Sequence, residues 1–344
     1  MKRKDQQVIS RMLLLVSIFL VMSCNSSDDT TETVGDWTRT TPFKGRPRSG
    51  AVVFTIGKKA FVGLGYDGDD YLSDFYVYDL EQGFWEATDP FPGVLRERAV
   101  AFSIDGKGYV GLGYNRELDT EEIGDFWKFD PDAAAGSQWS TIKDFEGTPR
   151  YSAIGFAIGS RGYVGTGYDG DSYNSDFWQY NPSEDDWTEI NSYPGEKIWQ
   201  GLAFVINDKA YICTGLNNGL HNTDFWEFNP SEVTWTSHTP DTDADDYADF
   251  EAAVKRHDAS ALVVNNKAYI LGGLVSTAAV GTVYQFDPAT YLWDDRTSFE
   301  GSYRSLAVAF TLDGNTFYGT GQNGTSRYDD IWQFAPDVAH DDSY

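Results

Sequence analysis

The chain has little cysteine, histidine, proline or positive charge, and its longest apolar run is brief. Two cysteines in 344 residues are too few for a disulfide-framed scaffold. Four histidines leave little material for a metal centre. No HExxH, phosphate-binding glycine loop or G-x-S-x-G motif occurs, so no metal, cofactor or catalytic set is expected. Lys plus Arg number 26 against 53 Asp plus Glu, a net charge of −27. Such a surface repels phosphate backbones and anionic headgroups, which excludes nucleic acid as a partner. What is abundant is aromatic side chain, 16% of residues, together with 34 glycines. That is too aromatic for a disordered chain.

The apolar run, residues 12–22 (MLLLVSIFLVM), follows a basic stretch with Lys2, Arg3, Lys4 and Arg11. A membrane-spanning helix needs about 20 apolar residues, so this run fits a secretory signal instead. It ends in Val21-Met22-Ser23-Cys24, which resembles the bacterial lipobox. The resemblance implies cleavage before Cys24 and its lipidation, with an ordinary signal peptide as the alternative. The expected address is the outer membrane, facing the periplasm or the cell surface, with membrane contact through the lipid only. Ser27-Asp28-Asp29 also resembles the acidic export tag of Bacteroidetes surface lipoproteins, although a solvated linker explains it equally well. Without residues 1–23, the remaining 321 residues carry 22 basic and 52 acidic side chains, a net −30. With Cys24 acylated, Cys213 has no partner for a disulfide within the chain. The expected divisions are a leader over 1–23, a flexible acidic linker over 24–35, a folded unit over 36–336 and a tail over 337–344.

Internal repetition is the strongest signal. Tryptophans recur at 37, 85, 139, 187, 235 and 293. A second series reads DFYVYD from Asp74, DFWKFD from Asp125, DFWQYN from Asp176, DFWEFN from Asp224, TVYQFD from Thr282 and DIWQFA from Asp330. Glycine-bearing strand ends precede each copy, as in Gly63-Leu64-Gly65 and Gly165-Thr166-Gly167. Each unit reads as four strands, the first a nearly continuous apolar run expected to be buried on both faces. Six such units in phase resemble the kelch repeat. The resemblance implies an all-β, six-bladed propeller with four-stranded blades. One blade cannot bury both its faces, so the blades must stack around an axis. The last unit lacks a tryptophan strand, and Trp37 precedes the first with no strands before it. The N-terminal strand is therefore expected to complete blade 6 and close the ring.

Strand direction places the loops between second and third strands on one mouth with the blade-to-blade loops. Six residues before the first-strand Phe or Leu of five blades stand Arg48, Arg96, Arg150, Arg256 and Arg304, with Ile198 in the fourth. Two readings are open. The arginines form an incomplete ring at the central channel that binds an anionic group, or each braces a neighbouring blade, through Asp74, Asp125, Asp176, Asp224 or Asp330. The mouth also gathers Tyr66, Tyr114 and Tyr168 beside amides and carboxylates, equipment for sugars or peptides. Trp199, outside both tryptophan series, is the candidate platform or a packing residue. His257 and His221 can meet between blades 4 and 5. The long acidic connection ahead of Arg256 reads as a lid, a partner-specific rim or a solvated loop. Copper radical oxidases share the kelch ring, but their paired His and Tyr ligands and Cys–Tyr crosslink have no counterpart here. The expected function is a monomeric binding or scaffold module for a glycan or protein partner. The alternative, by analogy with kelch sialate mutarotases, is a sugar-active epimerase or mutarotase.

Overall fold

The computed structural model describes residues 34–341. The leader, Cys24 and the linker as far as residue 33 lie outside the described residues. Six four-stranded antiparallel sheets stand around a central channel, with three two-stranded hairpins in the loops of blades 4, 5 and 6. Blade 1 is typical: Val52–Ile56, Lys59–Gly63, Phe75–Asp79 and Phe84–Ala87 pair in order.

The N-terminal strand closes the ring. Val34–Arg39 pairs antiparallel with Ile331–Ala339, with Trp37 opposite Phe334. Trp37 is 2% exposed, stacks on Phe334 at 4.5 Å and donates from Nε1 to the Thr297 carbonyl at 3.3 Å. Pairing begins before residue 36 and continues past residue 336, so the ladder takes in the last linker residues and part of the expected tail.

Six apolar clusters fill the six blade-to-blade seams. Blades 1 and 2 meet through Phe54, Phe61, Phe75 and Phe129, and the other seams repeat this aromatic theme. Two glycines are required by it. A Cβ at Gly108 would lie 2.2 Å from the Phe54 ring, and one at Gly162 would lie 2.5 Å from Phe102. The first strands differ from expectation, because only alternate residues enter these seams. The others are small or β-branched, such as Val53, Ala101, Ala203 and Ala309, and remain half-buried against the channel. Period-two geometry makes one face core and the other channel wall.

Two rings of backbone hydrogen bonds tie the mouth together. The glycine after each second strand donates to the carbonyl of the next blade's arginine, or of Ile198 in blade 4. Gly65 to Arg96 is 3.0 Å, Gly167 to Ile198 is 2.8 Å, and Gly321 to Arg48 joins the last blade to the first at 2.7 Å. Nearer the axis, Gly50, Arg98, Ser152, Gln200, Asp258 and Leu306 form a closed chain of N–H···O=C bonds at 3.0–3.1 Å. All six adopt left-handed backbone, with φ from 49° to 62°. Only one is glycine, so five residues hold a conformation that costs on the order of 1 kcal/mol each, which the blade-to-blade bonds offset.

Candidate functional site: the loop mouth

The five in-phase arginines do not line the channel. Their side chains are at most 1% exposed, and each is held inside its own blade. Arg48 Nη1 and Nη2 donate to the two oxygens of Asp74 at 2.6 and 2.8 Å, while Nη1 also reaches the Leu64 carbonyl at 3.1 Å. Arg150 forks onto Asp176 at 2.5 and 2.9 Å, and Arg304 onto Asp330 at 2.6 and 3.1 Å. Arg96 bonds Asp125 through Nη1 at 2.5 Å. The four guanidinium groups also lie over Phe43, Phe91, Phe145 and Phe299 at 4.9–5.2 Å. The anion-binding ring expected of Arg48, Arg96, Arg150, Arg256 and Arg304 is thereby corrected. Phase fixed their position, but the in-blade aspartates turn the side chains away from any ligand. The brace reading holds, within blades rather than between neighbours.

Blades 4 and 5 depart from the pattern. In blade 5 the aspartate is replaced by Thr282, and Arg256 bonds the carbonyls of Gly272, Thr282 and Ala252 at 3.0–3.2 Å and Thr282 Oγ1 at 3.0 Å. Burial without a carboxylate brings its pKa down to about 10. The acidic connection ahead of it is neither a lid nor a wholly solvated loop. Tyr247–Val254 forms a helix that buries Phe250, Ala253 and Val254 in the seam between blades 4 and 5. Cys213 is a free, fully buried thiol in that same seam, its pKa driven well up by burial.

The side chains nearest the mouth, all buried or half-buried, lie one and two residues beyond each arginine position. Ser49, Glu97, Tyr151, Trp199, His257 and Ser305 bridge to Tyr66, Tyr114, Tyr168, Leu216, Leu274 and Gln322 on the facing loops. Blades 2 to 4 thereby assemble an aromatic shelf. Tyr114 lies 4.7 Å from Tyr151, Tyr151 lies 5.7 Å from Trp199, and Tyr168 lies 5.1 Å from Tyr173 and 5.5 Å from Trp199. All five rings are half-buried. Tyr66 is buried beside Tyr71 and is covered by Arg116 at 4.8 Å and Arg327 at 5.2 Å. It supports those two cations rather than offering a ring face. His257 is buried with its ring 5.3 Å from that of His221, and burial lowers both imidazole pKa values, which keeps them neutral near pH 7.

The channel throat carries an ion pair that the sequence did not announce. Arg98 Nη1 donates to Asp258 Oδ1 at 2.9 Å and to Ser152 Oγ at 3.3 Å, and Gln200 Nε2 donates to Asp258 Oδ2 at 3.0 Å. Arg98 belongs to blade 2 and Asp258 to blade 5, which stand opposite in a ring of six, so the pair crosses the axis. Burial opposes the Arg98 charge, but Asp258 and Glu97 outweigh it and hold the pKa above its ordinary value. For the Glu97 carboxyl, burial dominates over the attraction of Arg98 and raises the pKa. Four buried atoms here have no hydrogen-bond partner among the described residues: Trp199 Nε1, Gln200 Oε1, His221 Nδ1 and His257 Nδ1.

A Kelch motif matches residues 255–299, which correspond to blade 5. In sequence, no curated protein matches the chain. In structure, the fold is similar to that of YjhT, with a TM-score of 0.70, 15% identity, and coverage of 85% of this chain and 95% of that one. At that identity the likeness is one of fold, and the chain is a six-bladed β-propeller with kelch-type blades.

Proposed function

We propose that the chain is a binding module that receives a glycan on the mouth shared by the blade-to-blade loops and the loops between second and third strands. The observation that carries this is the shelf of Tyr114, Tyr151, Tyr168, Tyr173 and Trp199 beside buried, unpartnered donors and acceptors. Sugar rings present apolar faces to aromatic rings and hydroxyls to such polar atoms. The Cys24 lipid and an extracytoplasmic address belong to the same proposal, resting on the lipobox-like Val21-Met22-Ser23-Cys24.

A second reading, a sugar-active epimerase or mutarotase, draws on one feature. Glu97, with its raised pKa, stands next to Arg98 and Asp258 at the throat and could move a proton. A glycan array, followed by NMR of the selected sugar over time, separates the two. Saturable binding without change of the sugar is expected. Trp199→Ala should weaken that binding about tenfold or more, the scale of a central aromatic anchor. Altered sugar identifies the enzyme reading. No saturable binding to any glycan on the array, or equal affinity in Trp199→Ala with its fold intact, contradicts the glycan reading.

A further inference from the structure

Blade 4 keeps the aspartate of the brace and lacks the arginine. Ile198 stands in the arginine position, and Tyr193 replaces the phenylalanine that underlies the guanidinium in blades 1, 2, 3 and 6. Asp224 accordingly accepts the backbone N–H of Glu196 at 2.9 Å, and among the described residues no side chain bonds its carboxylate. Trp226 reports the same difference. In blades 2, 3 and 6 the matching indoles donate to the aspartate Oδ2 at 2.9, 2.8 and 2.7 Å, whereas Trp226 Nε1 is buried without a partner. Beside both lies an open cleft of about 450 Å³, lined by Pro194, Glu196, Lys197, Asn217 and Asn218 as well.

We propose that this cleft binds a guanidinium group supplied from outside, an arginine side chain on a peptide or protein partner. The blade pattern specifies the chemistry: Asp74, Asp176 and Asp330 each accept both terminal nitrogens of a guanidinium, and Asp224 stands at the matching repeat position with no side-chain partner among the described residues. A planar fork satisfies such a carboxylate bidentately, which an ammonium cannot do. Two carboxylates against Lys197 keep the cleft negative, and the net charge of −27 favours approach of a cationic partner. The Tyr193 hydroxyl is buried close enough to Asp224 for that charge to act on its pKa, which burial raises first and most strongly. Tyr193 and Ile198 are both buried, so the incoming group is placed further out, at the Trp226 edge where Asp224 is half-buried. This proposal does not depend on the glycan reading of the mouth.

The test titrates acetyl-arginine amide, and the neutral isostere acetyl-citrulline amide, into the full-length chain. The signal followed is the Trp226 indole N–H in NMR spectra, assigned with Trp226→Phe. The arginine probe should shift that signal saturably and the citrulline probe should not. Asp224→Asn should weaken the response at least tenfold. Ile198→Arg, which supplies the guanidinium from within the blade, should abolish the response and raise the melting temperature. Equal responses to the two probes, an unchanged response in Asp224→Asn, or no shift up to about 50 mM probe would each overturn the proposal.

Discussion

Blades 3 and 5 carry an arginine at the same place, Arg150 and Arg256, and bury both to 1% exposure. Their partners differ. Arg150 has a two-point ion pair with Asp176, and Trp178 Nε1 completes that carboxylate at 2.8 Å. Arg256 has only carbonyls and a hydroxyl, one of the carbonyls drawn from the helix Tyr247–Val254. The comparison separates what the arginine does from what the ion pair does. In both blades the guanidinium bonds the carbonyl at the end of the second strand, Thr166 or Gly272, at 3.0 Å. Pinning that strand end is the shared task. The carboxylate adds charge neutralisation, and blade 5 does without it at the cost of a depressed arginine pKa.

The largest difference between the two blades should appear on truncation. Arg150→Ala removes one half of a buried pair, leaves the Asp176 charge with only the Trp178 indole as donor, and leaves the Thr166 carbonyl unsatisfied. The expected loss is about 3 kcal/mol, the low end for a broken buried pair because Asp176 is partly exposed. Arg256→Ala strands no charge and should cost about 2 kcal/mol or less. Chemical denaturation of the two variants checks the order, and equal losses would remove the distinction. A smaller, opposite effect is expected from Thr282→Asp, which gives blade 5 the missing carboxylate. A gain of about 1 kcal/mol should be present near pH 7. The new carboxyl should have a lowered folded-state pKa beside Arg256. Its stabilisation is therefore complete above the unfolded value of about 4 and fades as the pH falls through the folded value. Thermal melts of the variant and the parent at pH 7 and pH 3 measure this directly, and an unchanged difference between the two pH values counts against an ion pair.

The same contrast explains what could be read from the sequence. The blades were legible because tryptophans such as Trp85 and Trp187 and the aromatic third strands repeat in phase, and burial enforces that phase. Closure was legible from Trp37, a fourth-strand signature without its own blade. The arginine positions were legible, but their direction was not, since phase does not say where a side chain points. A signal was available: Asp74, Asp176 and Asp330 each stand 26 residues after their arginine. The throat was hidden for a different reason. Gly50, Arg98, Ser152, Gln200, Asp258 and Leu306 share a backbone conformation but no residue type, and Arg98 meets Asp258 across 160 residues. The helix Tyr247–Val254 was masked by the exposed aspartates ahead of it, Asp241, Asp243 and Asp245, although Phe250 enters the seam where the other blades use the aromatic five residues before the arginine.

The in-phase arginines are interior braces, and the proposed ligand surface lies beyond them. Hydrogen exchange of arginine side chains tests this without any ligand, in a chain labelled with ¹⁵N-arginine and transferred to D₂O. The Nε–H groups of Arg48, Arg96, Arg150 and Arg304 each donate to a backbone carbonyl two residues earlier, at 2.8–3.0 Å, inside the fold. Their signals should persist on the order of 100-fold longer than those of exposed arginines such as Arg46, because exchange requires local opening of a blade. Exchange of these four signals as fast as that of Arg46 would place the guanidinium groups in solvent and contradict the account.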